Sequence, residues 1–158
     1  MRTMAAAALL ALSGAIVSAA AAPKATPAHV MVAPDALKWG PLPAVVPGAT
    51  LAVVSGDPSK SGAPFVLRIK TPDGYRIPAH WHPTDENLTV LQGTLLLGIG
   101  EKEDPAAMHE LTTGTYARMP KGVRHFGVSK GETIVQVHGV GPFKIMYVNP
   151  ADDPARKH

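Results

Sequence analysis

Beyond residue 22, glycine and proline interrupt every apolar run before it reaches the length of a stable helix. The chain of 158 residues carries 15 glycines and 16 prolines, so turns are close together. What survives between the breaks has the two-residue period of strands. In residues 65–70, Phe65, Leu67 and Ile69 share one face while Val66, Arg68 and Lys70 share the other. No long amphipathic helix and no internal repeat is present. The expected fold class is therefore all-β, in one domain, since the length suits one domain and not two.

Taken in order, residues 23–44 read as an N-terminal arm with a short strand around 30–32. Residues 50–54 are the first core strand, and 55–64 a polar loop. Residues 71–74 turn the chain. The run 88–99 reads as two strands joined or bent at Gln92-Gly93. Residues 101–109 form a loop with a helical turn, and 115–119 a short strand stopped by Pro120. His125 begins the next strand. In residues 133–138, Ile134, Gln136 and His138 share a side. Residues 143–148 are the last strand, and 151–158 a frayed C-terminal tail.

Residues 1–22 have the layout of a secretory signal peptide: Arg2, an apolar stretch from 4 to 17, then small residues. Cleavage after Ala20 or Ala21 fits the small-residue rule. The apolar stretch is short for a bilayer span. The mature domain is thus expected to be exported, periplasmic or secreted, with no stable membrane insertion. The chain has no cysteine, which excludes disulfides and thiolate metal sites. Its net charge of +3 is spread along the sequence without a basic cluster, so nucleic acid is not an expected partner.

The chemistry concentrates between Gly74 and Gly93. His80 and His82 flank Trp81, so on a strand both imidazoles point one way and the indole the other. Pro78 and Pro83 bracket the pair, which favours an edge position. The turn after Pro83 can bring Glu86 back beside them; Asp85 is the competing carboxylate. His125 must arrive from another strand. Three imidazoles and one carboxylate suit a divalent transition metal. His29 and His109 read as ordinary surface histidines.

The spacing of Gly74, His80, His82, Glu86 and Gly93, followed by Gly114, Pro120, Gly122 and His125, resembles the two sequence motifs of the cupin superfamily. Ser129 stands where the family commonly has asparagine. The resemblance implies a single cupin-type jelly-roll β-barrel over residues 45–150. It also implies that His80, His82, Glu86 and His125 converge on one divalent ion: iron, manganese, nickel, zinc or copper. Glu86 either stays bound or acts as a base. Gln136 and His138 are candidates for second contacts from a neighbouring strand, with a core role the alternative for His138. Met119, Phe126, Arg76 and Arg124 are candidates for shaping the pocket mouth. Relatives often pair such domains, so a homodimer is expected. The implied function is a dioxygenase-type enzyme acting on a small oxygenated, aromatic or enol-like molecule. The alternatives are a Lewis-acid isomerase, decarboxylase or hydrolase, and a non-catalytic binding module for a metal or small ligand.

Overall fold

The structure is a computed structural model that describes residues 29–42, 45 and 47–156. The signal pattern of residues 1–22, and residues 23–28, 43 and 44 of the arm, lie outside the described residues. Among those described, the chain forms β1 (Gly40–Pro41), β2 (Thr50–Gly56), β3 (Pro64–Thr71), β4 (Arg76–Trp81) and β5 (Glu86–Ile99). It continues with β6 (His109–Thr112), β7 (Tyr116–Met119), β8 (His125–Val140) and β9 (Met146–Tyr147). Among the described residues all helical turns are of the 3-10 kind. Among the described residues no helix is long and apolar enough to cross a membrane.

The two longest strands, β5 and β8, pair with each other along most of their length and bend together. The first half of β8 pairs with β4, and its second half with β3. The first half of β5 pairs with β7, and its second half with β6. Each long strand therefore runs through both walls of a curled sheet, giving the jelly-roll barrel. Gly93 makes the bend in β5 possible. Its φ is +72°, and a Cβ there would lie 2.4 Å from the Glu132 carbonyl oxygen. The ladder shifts register on either side of Gln92. The shift changes the inward phase: Glu86, Leu88 and Val90 are buried before it, Leu95 and Leu97 after it.

Inward residues of both walls form one core that includes Phe65, Leu67, Val90, Leu97 and Val137. Each fully buried Leu, Val or Phe contributes roughly 1.5–3 kcal/mol. A smaller cluster of Val45, Ala49 and Tyr75 packs at one end.

Several expectations need correction. Residues 30–32 are not a strand: they join no ladder among the described residues, and Val30 and Met31 are 61% and 85% exposed. The run 88–99 is bent at Gln92-Gly93 as expected, within the single strand β5, and 133–138 continues the strand that His125 begins, β8. The last strand shrinks to Met146–Tyr147, because the Phe143 N–H donates to the Pro58 carbonyl and the Lys144 carbonyl accepts from the His82 ring. The tail is not frayed through residue 156. Asn149 and Asp153 accept from the backbone N–H groups of Ala151 and Ala155, shaping two 3-10 turns. Nor is β4 an edge at its end, since β9 pairs with His80 and Trp81.

Candidate metal centre

His80 and His82 both point into the barrel, 5% and 3% exposed. Trp81 between them points out, with the Arg124 guanidinium 5.3 Å from its ring. His125 is the cross-strand partner of His80, so pairing of β4 with β8 delivers the third imidazole. Glu86 opens β5 and pairs with Met119 on β7. The ligand-capable nitrogens of His80, His82 and His125 all lie within 4.8 Å of one another. Glu86 Oε2 lies 3.4 Å from His82 Nε2 and 3.2 Å from His125 Nε2.

Each imidazole is held by its outer nitrogen. Nδ1 of His80, His82 and His125 lies 2.7, 2.7 and 3.1 Å from the carbonyls of Pro78, Lys144 and Val123. A carbonyl oxygen only accepts, so Nδ1 carries the proton and a neutral ring keeps the Nε2 lone pair. Phe143 stacks on His82 with centroids 4.4 Å apart and planes at 18°. The Tyr147 ring lies 6.2 Å from that of His80, and burial pushes its phenol up to about 12.

This arrangement leaves polar atoms stranded. His82 Nε2 and Glu86 Oε2 are buried without a hydrogen-bond partner. Lone pairs facing one another in a dry cavity cost free energy, and a cation between them removes that cost. Donors sharing a first-row ion at about 2.1 Å each stand roughly 3 Å apart, close to the spacings of Glu86 from His82 and His125. The residues therefore fit a metal. Charge states agree. Burial, then the neighbouring His125 and His82, push His80 down to about 3. Burial alone would raise Glu86; a proton on the His125 or His82 nitrogen that points at it, or a cation in that place, is what holds the carboxyl below the ordinary carboxylate range. At neutral pH both groups are in the ligating form.

The carboxylate alternative resolves on geometry. Asp85 faces outward, 2.6 Å from Arg118, and accepts from the Lys121 N–H. Met119 and Phe126 do line the cavity that holds the histidines. The Phe126 ring lies over Gly98, where a Cβ would be 2.2 Å from it. Gln136 and His138 do not face the cavity, which corrects the expectation. Thr133, Val135 and Val137 line it, and on one strand the alternate residues must point the other way. Gln136 instead accepts from Arg68 Nε on the outer face. Arg76 and Arg124 also stay outside: Arg76 grips Glu103 with two 2.7 Å bonds, and Arg124 lies 3.4 Å from Glu101. His29 and His109 are exposed.

Reading the sequence missed Phe143 and the three carbonyls that hold the imidazoles. A backbone carbonyl has no sequence signal, since every residue supplies one. Phe143 had only its apolar character to mark it.

Residues 67–141 match the family model described as the cupin domain. No curated protein matches by sequence. Among solved structures, the chain is similar to a polyketide cyclase from Streptomyces resistomycificus, at 17% identity and TM-score 0.67, covering 80% of this chain and 90% of that one. It is similar to an acetylacetone dioxygenase from Acinetobacter johnsonii, at 13% identity and TM-score 0.59, covering 87% and 88%. It is also similar to an RmlC-like cupin from Shewanella frigidimarina, at 15% identity and TM-score 0.55, covering 82% and 95%. Likeness at such identities establishes a shared fold.

Proposed function

Because this chain belongs to the cupin superfamily, we propose that it is a metal-dependent enzyme of dioxygenase type. One divalent transition metal is held by His80, His82, Glu86 and His125, and the substrate is a small oxygenated molecule, aromatic or enol-like. The observation that carries this reading is the pair of buried, unpartnered atoms His82 Nε2 and Glu86 Oε2 on the wall of a mostly apolar cavity. A solved acetylacetone dioxygenase of the same fold supports the enol-like class.

When bound, the ion would supply Lewis acidity to adjacent substrate oxygens and, if redox-active, the electrons that oxygen chemistry needs. The residues of the chain do the rest. The carbonyl-anchored imidazoles fix the direction of three donors. Leu88, Leu97 and Val137 bind the apolar body and exclude water. Glu86, ionised, is the group able to take a substrate proton at a carboxylate oxygen. In this reading residues 1–22 export the protein to the periplasm or medium, and the working assembly is a homodimer.

Elemental analysis of protein purified without chelator tests the centre. Near-stoichiometric iron, manganese, nickel or copper is expected, with oxygen uptake on a panel of catechols, flavonols and β-diketones. Zinc with no oxygen uptake would overturn the oxygenase reading. Failure to take up any of these ions on titration would overturn the metal centre itself.

A further inference from the structure

The cavity that holds the histidines has a second polar end. Thr71 closes β3, and Ser129 lies on β8, four residues beyond His125 and on the same buried face. Four residues along a strand span about 13 Å. Between the two ends the walls are apolar, formed by residues such as Ile77, Leu95 and Val135. Thr71 lines the cavity, and its Oγ1 lies 2.6 Å from Ser129 Oγ, with the two residues 5% and 1% exposed.

These hydroxyls do not serve the fold as Thr133 does. The Thr133 hydroxyl bonds the Thr94 and Gly131 carbonyls, tying β5 to β8 where both bend. Thr71 and Ser129 bond each other, and Thr71 also reaches the Thr133 carbonyl at 3.3 Å. An apolar pair of the same shape would avoid burying two hydroxyls at almost no cost in stability. The proton count shows what the pair offers. Thr71 donates to the Thr133 carbonyl, and Ser129 donates to Thr71. One lone pair then remains on Thr71, at the cavity wall. If the Thr71–Ser129 bond reverses, Ser129 accepts from Thr71, and Thr71 still faces the cavity with lone pairs alone. In either arrangement the pair offers the cavity an acceptor, which a ligand hydroxyl meets by donating.

We propose that Thr71, backed by Ser129, reads a hydroxyl at the far end of the ligand. The ligand class is an elongated molecule with two adjacent chelating oxygens at one end, an apolar middle and a terminal hydroxyl at the other. This rests on the metal centre proposed above, which takes the chelating end.

The test uses the zinc-loaded full chain and simple bidentate chelators: hexano- and octanohydroxamic acids against their ω-hydroxy counterparts, followed by titration calorimetry. At one chain length the ω-hydroxy compound should bind about three- to tenfold tighter, the worth of one hydrogen bond. Thr71→Val should abolish that preference while leaving the plain hydroxamate bound at least as well. Ser129→Ala should reduce it. No preference at either length, or a preference that survives Thr71→Val and Ser129→Ala together, would overturn the assignment while leaving the metal centre intact. A preference lost in Tyr75→Phe but kept in Thr71→Val would move the contact to Tyr75, which also lines the cavity, and would overturn it too. If no hydroxamate bound in a zinc-dependent way, the metal reading would fail, and this one with it.

Discussion

Asp85 and Glu86 are adjacent in the chain and belong to different regions of the molecule. Glu86 turns inward, 5% exposed, among three imidazoles. Asp85 turns outward, and its carboxylate is taken by Arg118 and the Lys121 N–H. Outside, water and a flexible arginine complete the carboxylate, and such solvent-screened pairs add little to stability. Inside, an atom left without a partner costs about 1–3 kcal/mol. Only the inner region therefore demands something the chain does not itself supply. Chemical type did not decide the roles of these two carboxylates; the face of the sheet did.

The strongest way to break that contrast is to remove inner donors. Alanine in place of His80, His82 or His125 should lower metal affinity at least about a hundredfold, beyond what loss of an outer-shell partner costs. Glu86→Gln keeps the shape and should weaken binding in the same direction. Competition with a metal-sensitive dye measures both. Full occupancy in His80→Ala would remove the proposed centre.

Acid probes the same region without mutation. In the metal-free fold His80 stays neutral down to about pH 3, whereas its ordinary pKa is 6.5. Between those values the unfolded chain binds more protons. Stability should therefore fall as pH drops through that window, by up to about 1.4 kcal/mol per pH unit. Glu86 acts in the same sense lower down. Its folded pKa is depressed, so its contribution is present above the ordinary 4.5 and lost as pH falls below it. Urea unfolding at pH 7, 6 and 5 checks the slope, and His80→Asn should flatten it. A pH-independent midpoint would mean that the inner imidazole is not shielded.

A subtler lever is the loop that holds His82. Its Lys144 carbonyl takes the Nδ1 proton and its Phe143 ring stacks on the imidazole. Phe143→Leu keeps apolar volume but loses the flat stacking surface. Metal affinity should fall about tenfold, in the range of outer-shell effects, with the urea midpoint little changed. An equal loss in both would make Phe143 a core residue and nothing more.

The inner region was the more legible of the two in the sequence. The spacing of His80, His82, Glu86 and His125 carried both the resemblance and the candidate site, and the period-two runs carried the all-β class. The rest failed where the signal was ambiguous or absent. In 133–138, Thr133, Val135 and Val137 alternate with Ile134, Gln136 and His138, and both sets contain apolar and polar members. Alternation alone could not say which set faced the core. The parity of His125 would have said so, because Ser129, Thr133, Val135 and Val137 share it and are buried, with Phe126 beside His125 the exception, whereas β5 changes its phase at Gln92-Gly93. Residues 30–32 looked strand-like because they are apolar, and 143–145 because Phe143 and Ile145 alternate around Lys144, but a strand needs a partner edge, which periodicity does not reveal.

The smallest expected effects lie on the outer face, and they sharpen the comparison most. His138 and Gln136 sit on the inner strand β8 yet point away from the cavity, beside Arg68 and Asn87. Replacing either by alanine should leave metal affinity within about twofold, and Asp85→Asn should leave the urea midpoint almost unchanged. His138 is the critical case. As an imidazole on the same strand as His125, it would be the natural substitute ligand if ring type and strand membership were enough. A His138→Ala protein that bound metal much more weakly would show that position on the strand, not the face, governs the site, and the inward phase assigned to β8 would have to be reversed. Unchanged affinity beside a His125→Ala protein with almost none would isolate the face as the cause, since strand and side-chain chemistry are held constant between the two.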